Sequence, residues 1–155
     1  TAHRADADGG RGFYADAMAA CARVMQAIVR LPQPVIAAVQ GVATAAGCQL
    51  VASCDLAVAA EDARFCTPGV DIGLFCSTPA VALARAVPRK AAMEMLLLGE
   101  MVRMGKRGFN QQIELPLTEA YREAASIMTE NLMARDAAEG IGAFLEKRHP
   151  HWEDR

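Results

Sequence analysis

Apolar side chains recur at Tyr14, Met18, Cys21, Met25 and Ile28, a helical spacing that predicts an amphipathic helix from Phe13 to Arg30, ending before Pro32. The pattern then shortens. Val35 to Val39 is a brief apolar run between Pro34 and Gly41, the length and framing of a buried strand. Gly41 to Gly47 holds almost only small residues and reads as a tight turn, followed by a short apolar helical segment from Cys48 to Ser53. Leu56 to Ala59 and Arg64 to Thr67 are two further strand-like runs. Thr78 and Pro79 open a helix through Ala86, with proline in the first turn where its missing N–H costs nothing. Pro88 punctuates, and Arg89 to Leu98 forms another helix closed by Gly99. Residues 101–108 show no period. Leu117 to Arg135 resumes a helix with Leu117, Tyr121, Ala124, Met128 and Leu132 on one face. Asp136 and Glu139 read as a capping pair for a last helix through Arg148, whose apolar face is Ile141, Phe144 and Leu145.

Strand, small-residue turn, helix, strand is the way an α/β protein brings backbone N–H groups to an oxygen atom. The turn lacks side chains, so a ligand can approach, and the helix N-terminus adds partial positive charge. Close packing alone also uses such small residues. The polar, glycine-containing stretch 1–12 reads as a loop.

Composition narrows the function classes. The 155 residues are 53% hydrophobic with a net charge of −2, which suits one domain with a core and gives no electrostatic case for nucleic acid. No apolar run reaches the ~18 residues of a membrane span, and no targeting core is visible near Thr1. Five cysteines without a C-x-x-C pair predict reduced, mostly packed thiols rather than a disulfide framework or a metal site. His3, His149 and His151 sit near the termini and form no ligand cluster.

Three ordered motifs carry a resemblance. They are P-V-I-A-A-V-x-G-x-A-x-x-x-G-C-x-L-x-x-x-C-D from Pro34 to Asp55, R-F-x-x-P-x-x-x-x-G from Arg64 to Gly73, and A-R-A-V-P-R-K-A-A-M-E from Ala84 to Glu94. Together they resemble the enoyl-CoA hydratase/isomerase (crotonase) family. The resemblance implies an α/β fold, a spiral of ββα units with C-terminal helices. It implies a partial core over 1–102 and a helical packing part over 103–155. Two stretches usual in the family have no counterpart here: the N-terminal strands with their G-x-D loop, and a helix, turn and strand near Gly99 to Lys106. A skipped segment is therefore expected between Val102 and Arg103, whose Cα atoms would lie ~3.8 Å apart if bonded.

The same resemblance implies an acyl-CoA thioester substrate, a thioester enolate, and backbone donors at its oxygen, each worth ~3–4 kcal/mol. One donor falls on the Ala46 N–H; the other belongs to the absent loop. The family's two catalytic glutamates fall on Gln49 and Gly69, neither of which exchanges a proton near neutral pH. Gly47, Pro68, Phe75 and Cys76 fall where substrate is lined, and Lys147 where a CoA phosphate is met, although a lysine also suits a helix C-terminus. Asp71 is the nearest spare carboxylate, more at home as a solvated strand-end residue. Asp55 reads as a structural turn residue, and Cys48 and Cys66 as packing thiols. Cys76 and Ser77 have no base near them in sequence.

Three functions stay open: a nominal hydratase/isomerase, an acyl-CoA-binding or regulatory member without hydratase chemistry, and thioester hydrolysis through Cys76 or Ser77. Coenzyme A enters only as part of the substrate, with no separate cofactor. The expected assembly is a homotrimer or hexamer, with no nucleic acid or membrane partner. Alanine and arginine richness leans towards a bacterial cytoplasm, with the mitochondrial matrix as the eukaryotic alternative.

Overall fold

The computed structural model describes residue 3 and residues 6–97 and 108–152. Helix α1, Arg11–Arg30, begins two residues earlier than the periodicity predicts. Gly10 turns into it at φ 84°, and the Asp8 carboxylate accepts hydrogen bonds from the N–H groups of Gly10 at 2.8 Å and Gly12 at 2.7 Å. These bonds satisfy first-turn donors that a helix cannot satisfy itself. They also draw the Asp8 carboxyl below its ordinary pKa.

The centre of the chain is two consecutive ββα units. Strand β1, Ile36–Val39, β2, Val42–Thr44, and helix α2, Ala46–Ser53, make the first. Strand β3, Leu56–Ala59, β4, Arg64–Cys66, a 3-10 turn at Pro68–Ile72 and helix α3, Ser77–Ala86, make the second. Equivalent strands pair in parallel: Ile36 opposite Leu56 through Val39 opposite Ala59, and Val42 opposite Arg64 through Thr44 opposite Cys66. This repeat is the α/β spiral expected of the crotonase fold.

The pairing corrects one expectation. Val42 to Thr44 was expected as part of a turn, yet it is a strand. Its ladder partner lies more than twenty residues on, and its Ala43 joins Ala37 and Val39 in a small buried cluster. Local composition cannot reveal a partner that distant.

Helix α3 is the hub. Its first seven residues, Ser77 to Leu83, are all buried. One side packs with Cys48, Phe75, Cys76, Leu96 and Phe109; Val81, on the other, packs with Met25, Ala120, Tyr121 and Ala124. Helix α4, Arg89–Leu97, follows, then a helical segment over 108–112, helix α5, Leu117–Met133, and helix α6, Arg135–Glu146. The expected junction between 102 and 103, and Gly99, lie outside the described residues.

Two C-terminal expectations are corrected. Ala134, at φ −64° and ψ 150°, both ends α5 and starts α6, so Asp136 lies inside the first turn and is buried instead of capping it. The buried face of α6 is Ala137, Gly140 and Ala143, whereas Phe144 and Leu145 are 70% and 64% exposed. Small residues win the inner face because the helix backbone approaches the 3-10 turn directly: a methyl group on Gly140 would lie 2.3 Å from the Ile72 carbonyl oxygen. Among the described residues no helix is long and apolar enough to cross a membrane.

Candidate functional site

The site is built where β2, β4 and α2 meet. Ala45 joins β2 to α2 at φ 47° and ψ −113°, a region that side chains avoid. Its own N–H donates to the Cys66 carbonyl at 3.0 Å, which ties the strained corner to the end of β4. The first intrahelical bond of this corner runs from the Gln49 N–H to the Ala45 carbonyl at 3.0 Å. The N–H groups of Ala46, Gly47 and Cys48 therefore precede any intrahelical acceptor, and Ala46 and Gly47 are exposed. This is a donor-rich corner without side chains in the way.

Beside it, Phe65, Cys66, Thr67, Pro68, Asp71, Glu94 and Met95 line a cavity of about 330 Å³. The Thr67 hydroxyl donates to the Met95 carbonyl, fixing α4 as the far wall. A second, mostly apolar cavity of about 430 Å³ shares Phe65 and Met95 and runs past Cys48, Val51, Leu56 and Leu83.

The two positions on which the resemblance places glutamates are built differently. Gln49 is fully buried and turned towards α1, where its Oε1 lies 3.8 Å from the Cys21 thiol; its Nε2 has no hydrogen-bond partner among the described residues. Gly69 is buried against Cys76: a methyl group there would lie 2.7 Å from Cys76 Sγ and 3.1 Å from the Leu74 carbonyl oxygen. So the thiol fills the space that a longer side chain at 69 requires.

The buried thiols of Cys48 and Cys76 are disfavoured from ionising by their environment. Burial pushes the Cys76 thiol up, and a hydrogen bond from the Gly69 backbone only partly offsets this; burial pushes Cys48 up as well. Ser77 Oγ donates to the Phe75 carbonyl at 3.3 Å, and no histidine lines either cavity. A nucleophile without a base is weak. All five cysteines are free, and among the described residues no group of His, Cys, Asp or Glu is arranged to hold a metal ion.

The structure gathers Gly69, Phe75 and Cys76 on one segment and packs Phe75 and Cys76 in one core cluster with Cys48. Pro68 is exposed at the smaller cavity. Lys147 lies apart, exposed at the end of α6 in a left-handed conformation at φ 55°. Asp55 accepts from the Val35 N–H at 2.8 Å, the structural turn role expected of it. Glu94 was missed in the sequence, because only the docking of α4 brings it to the cavity.

A family model for enoyl-CoA hydratase/isomerase matches residues 4–106. The chain belongs to this family. It is 42% identical to enoyl-CoA hydratase domain-containing protein 3, mitochondrial, of Xenopus laevis over 185 residues, covering 94% of the chain and 63% of that protein. The human protein of the same name is 44% identical over 182 residues, covering 92% of the chain and 60% of its own length. The chain thus spans less than two thirds of these relatives. The 185 aligned positions also exceed its 155 residues, so the frog protein carries residues within the matched span that this chain lacks. Among solved structures, human enoyl Coenzyme A hydratase domain-containing protein 3 matches at a TM-score of 0.58 and 42% identity, covering 98% of this chain and 76% of that one. An enoyl-CoA hydratase of Mycobacterium smegmatis matches at 0.57 and 46%, covering 95% and 72%.

Proposed function

We propose that the chain binds an acyl-CoA thioester without running ordinary hydratase chemistry. The carrying observation is the α2 corner, where the N–H groups of Ala46 and Gly47 have no intrahelical acceptor and the adjoining Cys66 and Cys48 each line one of the two cavities. In this reading the Ala46 N–H holds the thioester oxygen, Pro68 lines the site's wall while Phe75 and Cys76 lie behind it in the core, lining neither cavity, and coenzyme A enters as part of the substrate with no other cofactor. The acid/base pair of a hydratase is missing. Gln49 is buried away at Cys21, and the place of a carboxylate at 69 is taken by the Cys76 thiol. The raised Cys76 thiol and the baseless Ser77 argue against thioester hydrolysis.

One observation favours a second reading in which chemistry is kept. Asp71 and Glu94 line the same cavity as Pro68, so a displaced carboxylate pair is available for proton transfer. Names of relatives support a mitochondrial compartment over a bacterial cytoplasm, since the frog and human proteins are both named mitochondrial. A homotrimer or hexamer, with Lys147 at a CoA phosphate, is supported by the exposed Phe144 and Leu145 beside it. The test is calorimetric titration with acetyl-CoA alongside crotonyl-CoA hydration. Binding without turnover is expected. Turnover that Asp71→Asn or Glu94→Gln removes would replace the first reading with the second, and absence of binding would overturn both.

A further inference from the structure

We infer that Trp152 is a positioning residue for the 68–76 segment, holding that wall of the candidate site through Gly73. The chain reverses at Lys147, whose φ of 55° turns it back along α6. The reversal is fastened at several points. The Arg148 N–H donates to the Ala143 carbonyl at 3.0 Å. Its guanidinium grips Glu139 with two bonds of 2.5 and 2.9 Å, and the His151 N–H donates to the same carboxylate at 2.8 Å. A bidentate pair with an added backbone donor fixes direction as well as distance.

This strap delivers the indole into a slot made by two glycines. A methyl group on Gly73, at φ 70°, would lie 3.0 Å from Trp152 Cζ3 and 2.8 Å from the Asp136 carbonyl oxygen. One on Gly140 would lie 2.9 Å from Trp152 Cη2 and 2.3 Å from the Ile72 carbonyl oxygen. So the six-membered edge of the indole bridges α6 and the turn. Side chains at either glycine would push the ring out.

Gly73 is the middle of the segment that matters. Within it the Leu74 N–H donates to the Gly69 carbonyl at 2.8 Å and the Gly73 N–H to the Val70 carbonyl at 3.2 Å. The Phe75 N–H donates to Asn131 Oδ1 at 3.1 Å, and Cys76 Sγ rests on Gly69. Gly69, Phe75 and Cys76 are therefore tied together within the segment that carries Pro68, and Trp152 packs against that segment from outside.

The functional consequence rests on the acyl-CoA reading; the mechanical claim does not. The experiment uses the 155-residue chain with Trp152→Ala, Trp152→Phe and Glu139→Gln, followed by hydrogen exchange and acetyl-CoA titration. Expected in Trp152→Ala is faster exchange confined to 68–76, with β1 and β3 unaffected, and restoration by Trp152→Phe. Glu139→Gln frees the strap while keeping the indole, so the emission of this only tryptophan shifts to the red as 68–76 loosens. Acetyl-CoA affinity is expected to weaken about tenfold in Trp152→Ala and to stay near the unaltered value in Trp152→Phe. Unchanged exchange at 68–76, or exchange raised evenly along the chain, overturns the inference. If the unaltered chain binds no acetyl-CoA, the acyl-CoA reading falls and the exchange comparison still decides the role of Trp152.

Discussion

Ala45 holds a conformation that glycine adopts freely and alanine does not. At φ 47° and ψ −113° its Cβ is strained, and the fold keeps it there with the bond to Cys66 and the helix that starts next door. Ala45→Gly is expected to raise stability by about 1 kcal/mol in urea unfolding, after the entropic cost of glycine is counted, and to leave acetyl-CoA affinity intact. A loss of stability would mean the corner is relaxed. Gly69 and Cys76 make a second residue-scale case. Gly69→Glu alone is expected to destabilise by roughly 1–3 kcal/mol, because the new side chain meets the Cys76 sulfur. Adding Cys76→Ala opens that space, so the double variant should recover much of the loss and show a coupling of about 1 kcal/mol. Strict additivity would show that the two positions do not share a space. That glycine stands at 69, where the resemblance implies a glutamate, was legible in the sequence; its pairing with Cys76 was not, because six residues of turn and loop separate them.

The strap on α6 belongs to the scale of the element. Arg148 and the His151 N–H hold the Glu139 carboxyl at about 2, against 4.5 for a free glutamate. The folded value is depressed, so the clamp is complete above pH about 4.5 and is lost as pH falls towards 2. Emission from Trp152 is expected to shift to the red over that window, and the transition should vanish in Glu139→Gln. A pH-independent emission maximum would remove the clamp from the account. The element itself was partly legible. Its helical period announced α6, but its large apolar residues suggested the wrong inner face. At Gly140 the helix lies so close to the Ile72 carbonyl that no side chain fits, and apart from Asp136 its buried residues are the small Ala137, Gly140 and Ala143.

At the scale of the molecule, the two short parallel sheets leave an apolar face outward. Ile36, Leu56 and Val58 are 58%, 60% and 66% exposed, and Ile36 and Leu56 are register partners on the same side of the ladder. Parallel sheets ordinarily have both faces covered, and open strand edges invite pairing. The isolated 155-residue chain is therefore expected to self-associate with concentration, and Val58→Lys should shift it towards smaller species in sedimentation velocity. Association unchanged by Val58→Lys, but removed by Phe144→Asp, would move the contact to α6.

By itself the sequence determined the family and every strand of the two ββα units except β2, and it showed Gln49 and Gly69 where the resemblance implies glutamates. These follow from short-range patterns: apolar period, proline and glycine punctuation, and side-chain chemistry at motif positions. Tertiary structure alone decided that Val42 to Thr44 would be a strand, that Gln49 would turn to Cys21, that Glu94 would reach the cavity and that Trp152 would lie against Gly73 and Gly140. Each depends on a partner far along the chain, and such contacts are selected by the packing of whole elements, which no local window of residues encodes.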